Sequence, residues 1–136
     1  MKISKLEYEG NVIDVFSGEN PTQLNAALNN VARMINLHAI AGLHPDSIHV
    51  VLAIHGGATK TVINDDGYVS RYTIKNPNHD LIIALKEAGV KLTVCGLSLI
   101  GRKIATNEVN ENIEIATSML TTGTTYQLKG YTLLKF

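Results

Sequence analysis

The sequence predicts an α/β fold: one domain with a mainly parallel five-stranded sheet and helices on both faces. Short apolar segments alternate with longer segments whose apolar residues recur at helical spacing, and this alternation implies right-handed βαβ crossovers. Residues 50–54 form an almost unbroken apolar run, which is typical of a strand covered on both faces. The chain has 136 residues and no linker or repeat. It is long enough for one sizeable core, so we expect a single domain over residues 1–136.

Five segments are predicted to be strands because each is short, apolar and bounded by turn-forming residues. They span residues 11–16, 47–55, 90–95, 113–116 and 131–136. Residues 1–10 show little patterning and are expected to form a lead-in segment. Residues 17–19 are expected to turn the chain after the first strand.

The helices are predicted from capping residues, helical spacing and the glycines that end them. Asn20 suits an N-cap and Pro21 suits the first helical position, so we expect the first helix to begin there and to end at Gly42. Further helices are expected over residues 76–88 and 118–128, and shorter ones over residues 58–63 and 97–104. Residues 64–67, with the sequence Asn-Asp-Asp-Gly, are expected to form a turn.

Composition and charge argue against several classes of protein. The chain has 12 basic and 12 acidic residues and no net charge, whereas nucleic-acid binders usually carry a basic excess. A zero net charge also favours self-association into a homo-oligomer. The sequence has no apolar signal region, and no stretch approaches the roughly 20 apolar residues of a membrane span. With one cysteine, no internal disulfide is expected. We therefore expect a cytoplasmic protein that binds neither nucleic acid nor membranes.

The only cysteine, Cys95, is the candidate catalytic residue. It ends the predicted strand 90–95, and the functional crevices of open α/β sheets lie outside the carboxyl ends of the strands. Gly96 allows a tight turn that leaves the sulfur unshielded. A helix beginning near Leu97 directs its positive end toward the thiol, which favours the thiolate. The alternative is a cysteine that only packs, because free cysteine is among the most buried residue types. The local sequence leaves both alternatives open.

His55, Gly56 and Gly57 end the second strand and form a candidate supporting group. The glycines let the backbone turn sharply and approach a ligand closely. The segment 56–61 lacks the Gly-Lys-Ser/Thr ending of a phosphate loop, which argues against nucleotide binding. His55 either stabilises a thiolate or contacts a ligand, or it bonds to the loop backbone. Of these roles, the structural one is favoured.

Ser98 is expected to cap the short helix after Cys95, and its hydroxyl is also placed to bond to the sulfur. The remaining histidines, at positions 38, 44, 49 and 79, do not have the spacing of a metal site. A single cysteine cannot build a thiolate-rich zinc site. We therefore expect no metal and no organic cofactor.

Several stretches, in order along the chain, resemble the DsrE/DsrF-like family. They are residues 12–18, Asn20-Pro21 with residues 28–30, His55-Gly56-Gly57-Ala58, residues 76–78 with 85–90, Val94-Cys95-Gly96-Leu97-Ser98-Leu99, and residues 128–131. The resemblance implies a three-layer α/β/α domain with a five-stranded parallel sheet that assembles as trimers or hexamers. It also implies sulfur oxidation or sulfur relay, in which a cysteine carries sulfur as a persulfide. Cys95 sits where that cysteine would be.

Three classes of function remain open. In the first, Cys95 makes the protein a persulfide carrier or sulfurtransferase, with sulfur donor and acceptor proteins as partners. In the second, the protein is a non-catalytic oligomeric partner or regulatory subunit in which Cys95 only packs. In the third, it binds a small anion or metabolite through the helix start at Asn20 and the loop at Gly56 and Gly57.

Overall fold

The computed structural model describes residues 2–3, 7–18 and 20–136 and contains a five-stranded sheet. Its strands are β1 (Asn11–Val15), β2 (Val50–Ile54), β3 (Lys91–Cys95), β4 (Glu114–Ala116) and β5 (Thr132–Lys135). All neighbouring strands are parallel, in the order β4-β3-β2-β1-β5. The predicted parallel α/β fold is confirmed, and each predicted strand segment contains its strand.

The helices fill the connections between the strands. They are α1 (Ala26–Ile40), α2 (Asp65–Tyr72), α3 (His79–Glu87), α4 (Gly96–Gly101) and α5 (Met119–Leu128). The described residues also include 3₁₀ turns at Pro45–Ser47, Gly56–Val62 and Thr106–Glu108. Among these residues, no helix is both long and apolar enough to cross a membrane.

The strand order decides which helix covers which face. The chain steps outward from β1 to β4 and then returns to place β5 on the far side of β1. Because crossovers between parallel strands are right-handed, the helices of the outward steps share one face and α5 covers the other. The main core joins Ile13 and Leu52 of the sheet to Leu28 of α1 and Leu85 of α3, and no residue of α5 belongs to it. Instead, α5 packs against β1 and β2.

The first helix begins later than the sequence predicts. Its N-cap is Asn25 rather than Asn20, and the Asn25 side-chain oxygen accepts the N–H of Leu28 at 3.0 Å. Asn20 instead accepts the N–H and the hydroxyl of Thr22 at 2.9 and 2.7 Å and so holds a local turn. The Asn25 amide also donates to the carbonyl of Ser17 at 2.7 Å. This contact with the end of β1 fixes Asn25 as the cap.

Residues 64–67 begin a helix rather than forming an isolated turn. The Asn64 side chain accepts the N–H of Gly67 at 2.8 Å. Two aspartates follow Asn64 in the first turn of α2, where negative charge is favourable. The same residue types serve turns and helix N-termini, and this is why the turn prediction was wrong here.

The helix after Cys95 also differs from its prediction. It spans Gly96–Gly101 rather than residues 97–104, and Cys95, not Ser98, occupies the N-cap position. The expected short helix over residues 58–63 is part of the 3₁₀ turn Gly56–Val62.

Two predictions fall partly outside the described residues. The lead-in over residues 1–10 includes residues 1 and 4–6, and the turn over residues 17–19 includes residue 19. In the described part of the lead-in, Ile3 donates its N–H to the carbonyl of Ala41 at 3.2 Å.

Candidate functional site

The carboxyl ends of β2 and β3 bring His55 and Cys95 to neighbouring positions. Ile54 of β2 is paired in register with Val94 of β3, and His55 and Cys95 are the residues that follow them. Neighbouring strands lie about 4.8 Å apart, and matching positions on parallel strands project from the same face. His55 and Cys95 therefore occupy neighbouring positions on the face that α5 covers.

The sulfur of Cys95 accepts hydrogen bonds from two helices. Burial raises the pKa of this thiol, because only 5% of the residue is exposed. The Ser98 hydroxyl and the backbone N–H groups of Met119, Ser98 and Leu97 donate to the sulfur and stabilise the thiolate. Together these hydrogen bonds outweigh burial, and the pKa of Cys95 lies below its ordinary value.

Met119 is a partner of the sulfur that the sequence did not reveal. It is the first residue of α5, and Ser118 caps that helix by accepting the N–H of Leu120 at 3.0 Å. The pairing of Cys95 with Ala116 brings the start of α5 beside the end of β3. This is a long-range contact, so no local pattern around Cys95 signals it.

Gly96 permits a close approach of two backbones. A Cβ at this position would lie 2.8 Å from the carbonyl oxygen of Ala116, closer than such atoms pack in proteins. The first residue of α4 therefore packs directly on the end of β4. The turn after Cys95 accepts only glycine without a shift of the backbone.

His55 contacts Asp14 rather than the loop backbone. Its Nε2 atom is bonded to the Asp14 carboxylate, and the two side chains are 16% and 12% exposed. The ring of Phe16 packs against the imidazole with centroids 5.1 Å apart. Asp14 is not among the site residues predicted from the sequence, although an acidic residue that interrupts the apolar run of β1 is a signal that identifies it.

Gly56 and Gly57 hold the loop after β2 against its neighbours. Gly56 has a φ of 56°, and a Cβ there would collide with the ring of Phe16. The N–H of Gly56 donates to the hydroxyl oxygen of Ser98 at 3.4 Å. A Cβ at Gly57 would lie 3.1 Å from the carbonyl oxygen of Gly18. Through Ser98, this loop is connected to the residue that bonds to the sulfur.

Asn20 lies apart from the other predicted site residues. It lines a cavity of about 320 Å³ between the end of β1 and the start of α1. Neither Cys95 nor His55 lines this cavity. The predicted residues therefore divide into a sulfur site, which contains Cys95, Gly96, Ser98, His55 and Gly56, and a separate cavity, which contains Asn20. Gly57 belongs to neither and packs against Gly18.

Polar side chains line part of the cavity, and the larger ones have partners in the chain. The Lys60 ammonium donates to the carbonyl of Gly18 at 2.5 Å. The Tyr68 hydroxyl donates to the carbonyl of Pro21 at 2.5 Å, and burial raises the pKa of Tyr68 to about 12. Tyr68 therefore acts here as a neutral hydrogen-bond donor.

The chemistry available at the sulfur site is that of a thiolate beside an acid–base pair. The thiolate is a nucleophile, and a histidine hydrogen-bonded to a carboxylate is a common acid–base pair in enzymes. Across the described ranges, no group of three or more His, Cys, Asp or Glu side chains is arranged to hold a metal ion.

The sequence matches the DsrE/DsrF-like family over residues 10–136. The chain belongs to this family. The match includes all five strands and every residue of the sulfur site, and it confirms the family resemblance found in the sequence. Comparison with curated protein sequences gave no match.

Two solved structures share the fold. The protein of unknown function MTH1491 from Methanobacterium thermoautotrophicum aligns with a TM-score of 0.69 at 13% identity, over 95% of this chain and 99% of that chain. The YchN protein from E. coli aligns with a TM-score of 0.66 at 18% identity, over 93% of this chain and 99% of that chain. At these identities the likeness establishes the fold.

Proposed function

We propose that the protein is a sulfur carrier, or sulfurtransferase, that holds sulfane sulfur as a persulfide on Cys95. The observation that carries this proposal is the set of donors around the sulfur. The Ser98 hydroxyl and the N–H groups at the start of α4 and α5 hold the pKa of Cys95 below its ordinary value in spite of burial. The thiolate is the form that attacks sulfur. Membership of the DsrE/DsrF-like family also supports a sulfur-relay role.

The proposed transfer balances without a cofactor. The Cys95 thiolate attacks the outer sulfur of a donor persulfide and forms a new S–S bond. The S–S bond of the donor breaks, and its electron pair leaves on the donor thiolate. The persulfide on Cys95 later gives its outer sulfur to an acceptor thiolate in the same way. Each step exchanges one thiol and persulfide pair for another, so no external oxidant or reductant is consumed.

Access to the sulfur limits the donors that fit this proposal. Because Cys95 exposes 5% of its surface, a donor must present its outer sulfur on a slender group. A low-molecular-weight persulfide, or a persulfidated cysteine at the tip of a protein loop, meets this requirement. A reducing compartment keeps a carrier thiol from forming disulfides, and we therefore place the protein in the cytoplasm.

We also propose that the protein works as a homo-oligomer, a trimer or a hexamer. Large apolar side chains are exposed on the elements around Cys95; they are Leu97, Ile100, Ile115 and Leu120. Exposed apolar surface of this kind is typical of protein contacts. The zero net charge places no electrostatic barrier against association of identical chains.

Sulfur uptake tests the proposed function. The native protein is incubated with cysteine persulfide, freed of excess reagent and weighed by intact mass spectrometry. We expect one added sulfur atom per chain, located on the peptide that contains Cys95 and removed by a thiol reductant. The variant Cys95→Ala is the control and should gain nothing. If the wild-type protein gains no sulfur, the carrier function is wrong and the non-catalytic partner or regulatory subunit is favoured.

The cavity near Asn20 favours a second candidate function, binding of a small polar metabolite. Its volume of about 320 Å³ lies in the range of small-molecule sites, and the amides of Asn20 and Asn78 line it with the Lys60 ammonium. Thermal unfolding in the presence of small polar metabolites tests this candidate. A compound that raises the Tm of the wild-type protein but not of Asn20→Ala supports it, and the absence of any shift contradicts it.

A further inference from the structure

Asp14 of β1 and His55, which follows β2, form an ionisable pair beside the strand that ends at Cys95. The Nε2 atom of His55 contacts the Asp14 carboxylate, and both side chains are mostly buried. Removing a carboxylate from water is costly unless a partner compensates it. The sulfur transfer described above uses neither group. A buried acid–base pair beside a nucleophile is a candidate for proton transfer.

We propose that the Asp14–His55 pair moves the proton of the sulfur-transfer step, with His55 taking it from the Cys95 thiol and delivering it to the departing donor thiolate. This inference rests on the proposed function, because it assigns two more residues to the same reaction. His55 exchanges the proton directly with the reacting sulfur atoms. Asp14 is a positioning residue that acts through the imidazole.

The position of the imidazole supports this role. His55 follows Ile54, the register partner of Val94, and Cys95 follows Val94, so the two residues are neighbours on adjacent strands. Phe16 packs against the ring with centroids 5.1 Å apart and limits its rotation. The loop that begins with His55 is therefore held in place on the side of β1.

Asp14 fixes one ring nitrogen and leaves the other available. The Nδ1 atom of His55 has no hydrogen-bond partner in the described part of the chain, and it is not sealed from solvent. A neutral imidazole that donates from Nε2 carries its lone pair on Nδ1. Nδ1 therefore accepts a proton, and the Asp14 carboxylate stabilises the imidazolium that forms.

The proton steps balance with the sulfur steps. Nδ1 of His55 takes the proton of the Cys95 thiol, and the thiolate attacks the outer sulfur of the donor persulfide. The S–S bond of the donor breaks, and the departing thiolate takes the proton from Nδ1. A thiol and a donor persulfide become the Cys95 persulfide and a donor thiol, and the imidazole returns to its neutral form.

Among the residues that the structure describes, few other ionisable groups face the pair. Lys135 of β5 is paired in register with Asp14, and the Lys60 ammonium donates to the carbonyl of Gly18 beyond the end of β1. Helix α5, which covers this face, carries no charged residue, and its one titratable group is Tyr126. Helix α4 carries none. Asp14 is therefore the carboxylate that holds the His55 imidazole.

Two disulfide probes on the full chain test the proposal. An aryl disulfide releases an acidic thiol that departs without a proton, whereas an alkyl disulfide releases a basic thiolate that gains from protonation. In His55→Gln, we expect Cys95 to react about tenfold or more slowly with the alkyl probe. The aryl probe loses only the proton acceptor of the Cys95 thiol, so its rate should fall about tenfold less than the alkyl rate. Asp14→Asn should show the same selective loss. Equal slowing of both probes, or no slowing of either, overturns the proposal.

His49→Gln is the matched control, because His49 is an exposed histidine that precedes β2, at the opposite end of that strand from His55. It should leave both rates unchanged. If His55→Gln does not fold, the proposal is tested with Asp14→Asn through the same ratio of alkyl to aryl rates. Failure of the proposed function gives a different result: the wild-type protein takes no sulfur from cysteine persulfide, whereas the selective loss with the alkyl probe is still observed.

Discussion

The Ser98 hydroxyl donates a hydrogen bond to the sulfur of Cys95, one helical turn before it in the chain. The same hydroxyl oxygen accepts the N–H of Gly56 at 3.4 Å. A residue of the loop after β2 thus fixes Ser98, and Ser98 in turn stabilises a thiolate at the end of β3. This relationship connects the two strand ends that form the sulfur site.

Replacement of Ser98 should make Cys95 less reactive. Ser98→Ala removes the side-chain donor that opposes burial, so we expect the pKa of Cys95 to rise and its alkylation by iodoacetamide at pH 7 to slow. The measurement is the alkylation rate as a function of pH. The control is Ser70→Ala, which removes an exposed hydroxyl on α2. An unchanged titration of Cys95 in Ser98→Ala would contradict the role given to this hydrogen bond.

The lowered pKa of Cys95 also predicts how stability depends on pH. A thiol whose pKa is lower in the folded than in the unfolded protein stabilises the fold once the pH exceeds the folded value. This contribution increases up to the ordinary thiol pKa and is lost as the pH falls through the folded value. Urea unfolding of the wild-type protein and Cys95→Ala across this window should show it in the wild-type protein alone. Parallel pH profiles for the two proteins would contradict the lowered pKa.

Gly96 and Gly101 should respond in opposite ways to the same substitution. Gly96→Ala places a Cβ 2.8 Å from the carbonyl of Ala116, and we expect it to lower the free energy of unfolding by about 1–3 kcal/mol. Gly101 also lies in α4, but a Cβ at that position would point into open space. We expect Gly101→Ala to be neutral or to stabilise by up to about 1 kcal/mol. Denaturant unfolding measures both changes, and similar effects at the two positions would contradict this account of the turn.

Thr59 and Thr61 provide a second matched pair. The Thr59 hydroxyl is buried and has no hydrogen-bond partner among the residues described, whereas the Thr61 hydroxyl donates to the carbonyl of Ala58 at 2.7 Å. Thr59→Val should raise the free energy of unfolding by about 1 kcal/mol, and Thr61→Val should lower it by about 1 kcal/mol. A loss of stability in Thr59→Val would show that its hydroxyl is satisfied in the folded protein.

The proposed assembly is tested by light scattering. At micromolar concentration we expect a particle with three or six times the chain mass of 14.7 kDa. Ile100→Glu places a charge on the exposed apolar surface near Cys95 and should dissociate the particle. Ile40→Glu alters an exposed isoleucine on α1 and should not. A wild-type monomer would rule out the oligomer, and dissociation by both variants would place the contact elsewhere.

The sheet could be predicted from sequence because its strands are short apolar runs separated by residues that break them. The position of Cys95 at the end of β3 followed from the same pattern, since the cysteine closes the run from Val90. These features are local, and a buried parallel strand carries them wherever it lies in the chain.

The parts that could not be predicted depend on long-range contacts. The N–H of Met119 reaches the sulfur only because β4 pairs with β3, and the partner of His55 is Asp14, on a different strand. The start of α1 was misplaced because Asn25 is fixed by the carbonyl of Ser17. Each contact joins segments whose proximity only the fold determines.

Transfer of a labelled sulfur atom tests the carrier role of Cys95 most directly. Native protein is loaded from cysteine persulfide with an isotopically labelled outer sulfur, freed of donor and mixed with a small acceptor thiol. We predict that one labelled sulfur per chain appears on Cys95 and then passes to the acceptor, restoring the mass of the unloaded protein. Protein that takes up no label, or that keeps it in the presence of excess acceptor, would contradict a carrier function for Cys95.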